Sequence, residues 1–144
     1  MDYQQYIHKN KPRPKYFRNG FIAIICGGNI GVIGQGLIDL YMGLGVEKDQ
    51  AQSLMIVTLI LVTAILTGFG VWDYFGDFAG AGAFVPITGF SNAMTSAALE
   101  GKSEGITLGI AANMFKLTGS VIALGVSSAY LVGIIRYLFL RWFA

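Results

Sequence analysis

Apolar residues run along this chain in long blocks, and polar ones gather where the blocks end. Residues 21–44 hold one charge, Asp39, near their far end, and residues 53–72 hold none. Neither block alternates with a period of two. Each is about as long as the roughly 20 residues that cross a bilayer as a helix, or longer. Trp72 and Tyr74 close the second block with the aromatic pair expected at a membrane–water interface, and Asp73 and Asp77 lie beside them. Residues 78–99 are also uncharged, but Gly80, Gly82, Pro86 and Gly89 fall so close together that they predict a break in the helix. Thr88, Ser91, Asn92 and Thr95 put polar groups into the same segment. Irregular backbone at membrane depth survives only when it is buried in protein or faces water. A last block, 106–141, contains Lys116 and finishes with Arg136 and Arg141. A straight helix of that length would exceed roughly 50 Å, against a hydrocarbon core of about 30 Å. It is expected to tilt, to kink near Gly119, or to begin with a partial turn.

The pattern predicts an all-α, polytopic integral membrane protein of about four transmembrane segments, the third broken or re-entrant. A basic arm over 1–19 precedes a single membrane domain over 20–144. Lys11-Pro12-Arg13-Pro14-Lys15 resists helix because of its prolines. No small-residue cleavage site follows a short apolar core, so a removed signal peptide is not expected. Lys9, Lys11, Arg13, Lys15 and Arg18 are opposed in the arm by Asp2 alone. Placed before an apolar run, such an arm reads as cytoplasmic, a topology determinant or a contact for anionic lipid, and not as a nucleic-acid binder. If 78–99 crosses, Arg136 and Arg141 finish on the same side as the arm, as the positive-inside bias requires. A re-entrant hairpin would leave them outside.

Composition supports the membrane reading. The 144 residues are 54% apolar and 12% charged, where about 25% charged is ordinary for a soluble protein. Mean hydropathy is +0.60. These values exclude a disordered chain, a disulfide scaffold and a coiled coil. Cys26 is the only cysteine and His8 the only histidine, which cannot assemble a zinc or iron site. No metal and no cofactor are expected.

Enzymatic motifs are missing from the sequence. Gly101-Lys102-Ser103 ends like a phosphate-binding loop, but Ser96 stands where that loop needs glycine. Gly68 and Gly70 are followed by Asp73 where a dinucleotide fingerprint needs another glycine. Small residues recur four apart at Gly27–Gly31, Gly76–Gly80, Gly105–Gly109 and Gly125–Ala129–Gly133. That spacing makes flat stripes for close helix packing, within the chain or against a partner. Lys116 is either a cation drawing anions into a pore with Asn113 one turn earlier, or a lysine snorkelling to the interface. Asp73 and Asp77 form either a cation-attracting mouth or a solvated pair. Asn29, Gln35, Thr58 and Thr63 are expected to bond between helices. Thr88, Ser91, Asn92 and Thr95 divide evenly between lining a path and a structural role.

The stretch FAGAGAFVPITGFSNAMTSAALE at 78–100 resembles the signature of the stage V sporulation membrane proteins AC and AE. KSEGITLG at 102–109, NMFKLTGSVI at 113–122 and the KPRPKY of the arm are similar to the AC branch of that family. Gly27-Gly28, the IGQ at 33–35 and the LTGFGVWD at 66–73 match as well. The resemblance implies a subunit of an inner spore membrane complex in spore-forming bacteria. That complex moves dipicolinic acid, chelated with calcium, into the developing spore and releases it in germination. A channel-forming role is implied for the AC branch; the alternative is a non-conducting scaffold that docks other proteins of the complex. Four short spans hardly enclose an aqueous pore, so a channel implies a homo- or hetero-oligomer. A dianionic aromatic solute needs polar backbone or a cation on its path. Lys116, Asn92 and the Gly80–Gly89 break are then the expected solute contacts.

Overall fold

The structure, a computed structural model, describes residues 15–143. Most of the basic arm, including Lys9, Lys11 and Arg13, lies outside the described residues. Helix α1 spans Tyr16–Gly43 and α2 spans Lys48–Gly68. Leu44 and Gly45 reverse the chain between them, with Gly45 at φ +88° and the Val46 N–H returning to the Tyr41 carbonyl at 3.1 Å. Such a left-handed residue just past a helix end ties down carbonyls that have no partner in the helix. Asp49 in the first turn of α2 complements the positive end of the helix dipole.

Three short helices follow: α3 (Val71–Ala79), α4 (Ala81–Phe84) and α5 (Ile87–Gly101). A 3₁₀ turn at Lys102–Glu104 and a π turn at Ile106–Ala111 then lead into α6, Ala112–Phe143. All described elements are helical. The π turn lies at the start of the last block, and α6 runs through Gly119 without interruption.

Among the described residues, three helices are long and apolar enough to cross a membrane: Tyr16–Gly43, Lys48–Gly68 and Ile106–Trp142. The second begins five residues before the expected Ser53 and ends before Trp72. In place of one span at 78–99, the chain builds α3, α4 and α5. The longest of these, α5, has 15 residues and rises roughly 22 Å, short of the hydrocarbon thickness.

The breaks in this segment are narrower than its glycine content suggests. Gly80, at φ +52°, ends α3, and Pro86, extended at ψ 172°, starts α5. Gly82 and Gly89 are helical and serve packing instead. A Cβ on Gly82 would collide with the Ala23 carbonyl of α1, and one on Gly89 with the Phe84 carbonyl of α4. Gly27 faces the same crossing: a Cβ added to it would lie 3.5 Å from the Gly82 backbone, in ordinary contact. Backbone thus packs on backbone where α4 crosses α1.

That crossing carries a small core of Cys26, Trp72, Ala79 and Ala83, backed by Ile22, Leu66 and Phe75. Trp72 meets Phe75 edge to face, with ring centroids 5.1 Å apart. It is buried within the chain, whereas Tyr74, two residues on, is exposed. Elsewhere α5 packs against α2 on one side and against α6 and the π turn on the other. Large apolar side chains such as Phe17, Ile24, Val32, Leu61 and Leu131 point outward, as they do when the solvent is lipid.

Gly82→Ala should lower stability by about 1–3 kcal/mol through forced separation of α4 from α1. Gly28→Ala, with open space around it, should be neutral or stabilising. Thermal unfolding of the two variants in detergent is the measurement.

Candidate functional site

Asn92, Ser91 and Thr88 are buried on α5, and the glycine-permitted fold of α4 brings them against α2. The Thr67 hydroxyl lies 2.9 Å from Asn92 Oδ1 and 2.8 Å from the Thr63 carbonyl, its proton shared between two acceptors. The Ser91 hydroxyl donates to the Ile60 carbonyl at 2.8 Å, and that of Thr88 to the Ala83 carbonyl at 3.3 Å. A helix carbonyl keeps a second lone pair after its own i+4 bond, so Ile60 accepts Ser91 without losing a backbone partner. Thr63, 1% exposed, adds a fifth polar side chain, whose Oγ1 has no hydrogen-bond partner. The result is a polar seam within a wall otherwise made of Leu, Ile and Val. In a bilayer such bonds are worth about 0.6 kcal/mol each on average.

The seam reaches an apolar cavity of about 350 Å³ between α1, α2 and α3. Thr63, Thr88 and Trp72 border it, together with Ile33, Val62 and Phe75. The Trp72 Nε1 is likewise buried without a partner.

The other sequence candidates are distributed around this seam. Lys116 is exposed on α6 and takes no part in it. Asn113 is half-buried one turn earlier, its amide against Gly101. Thr95 is half-buried on α5. Thr118 binds α6 to α5 through a 3.2 Å contact from its hydroxyl to the Met94 sulfur. Asp73 and Asp77 are both exposed on α3.

Asn29 and Gln35 bond within α1, to the Ile25 carbonyl and to Asp39, and not between helices as expected. Thr58 does bond between helices, at 2.7 Å to the Tyr41 hydroxyl. Gly31, Gly125 and Gly133 have no neighbour within reach of an added Cβ, whereas Gly27, Gly76 and Gly109 of the same four-residue stripes meet other parts of the chain.

Two features escaped the sequence reading. Thr67 completes the seam; its spacing of four from Thr63 placed both on one face of α2 and was the available signal. Gly101 is the partner of Gly109: a Cβ on Gly109, a glycine the four-residue spacing had singled out, would strike the Gly101 carbonyl. Their separation across an irregular turn left no periodic trace.

Long apolar helices with outward-facing Leu, Ile and Phe, joined by a broken segment with internal polar bonds, define a polytopic helical membrane protein. The model of the SpoVAC/SpoVAEB sporulation membrane protein family matches residues 19–135, and the chain belongs to that family. It is 50% identical over 139 residues to "Stage V sporulation protein AC" of Bacillus subtilis (strain 168), covering 96% of this chain and 93% of that protein. No solved structure matches.

In a double-mutant cycle, Thr67→Val and Asn92→Leu should show a coupling of about 0.6 to 1.7 kcal/mol. Unfolding in detergent reads the coupling, and strictly additive losses would separate the two side chains energetically.

Proposed function

We propose that this chain is a channel subunit of the spore membrane complex that carries dipicolinic acid, with calcium, into the forming spore and out again in germination. The observation that carries this reading is the folded-back segment 71–101. A chain of this family places a Gly- and Pro-broken run of helices beside two spanning helices and equips it with buried polar side chains. Discontinuous helices of this kind serve solute paths in membrane proteins. One copy encloses no pore of its own. From Gly119 to Trp142 the described residues of α6 are all exposed, which supports assembly with further subunits. Lys116, exposed in the first turns of α6, is suited to face a dianion at a junction between subunits, with Asn113 and Thr95 nearby in sequence or on the adjoining helix.

The location proposed is the inner spore membrane, with the basic arm on the cytoplasmic side. With Arg136 and Arg141 also there, 71–101 completes a crossing through its combined helices. In a Cys26→Ala background, Ser103→Cys should then react with an impermeant thiol reagent from the side opposite the arm. Labelling from the arm's side would make 71–101 re-entrant.

A scaffold reading draws on a different observation: Thr88, Ser91 and Asn92 have their hydrogen bonds inside the chain. The two readings part on flux. Spores lacking this chain should be depleted of dipicolinic acid, with content restored by complementation. Lys116→Ala that assembles normally should restore it only in part if the chain conducts, and fully if it is a scaffold. Normal content in the deletion strain would end the transport assignment.

A further inference from the structure

Where the arm meets α1, a cavity of about 720 Å³ opens between the first turn of α1 and the junction of α3 with α4. Its size falls within the roughly 300–1,000 Å³ of small-molecule sites. Arg18 and Asn19 border it from α1, and Asp77 borders it from the last turns of α3. Tyr16 and Phe78, both exposed, flank the opening, and Ile22 continues its wall along α1.

Arg18 and Asp77 carry opposite charges on facing elements, and neither has an ion-pair partner among the described residues. A purely anionic ligand would meet repulsion from Asp77, and a purely cationic one from Arg18. The pair matches a ligand that carries both charges a short distance apart. The setting narrows the class further. The polar arm ends at this level and an apolar helix begins, so the cavity lies at the membrane boundary, where aromatic side chains and lipid headgroups meet.

We propose that this groove binds the headgroup of a zwitterionic aminophospholipid. The phosphate takes the Arg18 guanidinium, a planar donor suited to phosphate oxygens, with the Asn19 carboxamide beside it. The primary ammonium donates to the Asp77 carboxylate. The acyl chains leave along Ile22 and Phe78 into the bilayer. A quaternary ammonium has no N–H to donate and fits less well, and a glycerol headgroup offers no cation at all.

The test uses the full chain in detergent, exposed to equimolar phosphatidylethanolamine, phosphatidylcholine and phosphatidylglycerol, with retained lipid read by native mass spectrometry. Phosphatidylethanolamine should be retained several-fold over the other two. Arg18→Gln should lower that retention about tenfold, the loss expected for one charge-assisted phosphate contact. Asp77→Asn should keep phospholipid but lose the preference over phosphatidylglycerol. Both side chains are exposed, so unfolding temperatures should match the parent chain. Equal retention of the three lipids would overturn the proposal, as would a preference that survives both substitutions. Full displacement by millimolar inorganic phosphate would also overturn it, by assigning the site to a free anion.

Discussion

Close approach of backbone at Gly82 and Gly89 is the constraint on which the rest of this fold depends. With no Cβ on Gly82, α4 lies directly on α1 at Ala23 and Gly27. With none on Gly89, α5 turns tightly out of α4 after Pro86. Only then does α5 run beside α2, so that Asn92 reaches Thr67 and Ser91 reaches the Ile60 carbonyl. Helices in lipid gain little from burying apolar surface against each other, since the acyl chains are as apolar as leucine. Association there relies on contact distance and on polar bonds. Two glycines supply the first and the seam supplies the second.

The burial pattern follows from the same physics. The core is small, built from Cys26, Trp72, Ala79 and Ala83, while most large aliphatic side chains face outward. A chain with this distribution would aggregate in water and is well solvated in a bilayer. Helix α6 takes this furthest. Its first turns are tied to α5 through Thr118 and Met94, and from Gly119 to Trp142 its residues are exposed. The small residues Gly125, Ala129 and Gly133 lie on that exposed portion, available to a neighbouring helix.

The polar chemistry falls in three places with different environments. The seam between α2 and α5 is buried and largely satisfied. Lys116 stands exposed on α6. Arg18 and Asp77 border one cavity and form no ion pair among the described residues. The proposed solute path, subunit junction and lipid site each draw on one of these arrangements: internal polar groups, an exposed cation, and separated opposite charges.

The sequence by itself determined the class. Uncharged blocks of more than 18 residues, a charged share of 12% and a basic arm leave a polytopic helical membrane protein, because the cost of burying charge in hydrocarbon is written residue by residue. Family membership was legible in the 78–100 stretch for the same reason: its glycines and proline are local. The tertiary structure alone decided what each of them does. Gly80 and Pro86 break the helix, whereas Gly82 and Gly89 make contacts with residues far away or around a turn. Backbone propensity is the same for the three glycines. It also decided that Trp72 is core, that Asn29 and Gln35 bond within their own helix, and that Asn92 meets Thr67, 25 residues away. Periodicity reports which side of a helix a residue occupies. Which neighbour lies on that side depends on how closely two backbones approach, and that was settled only when the broken segment folded back.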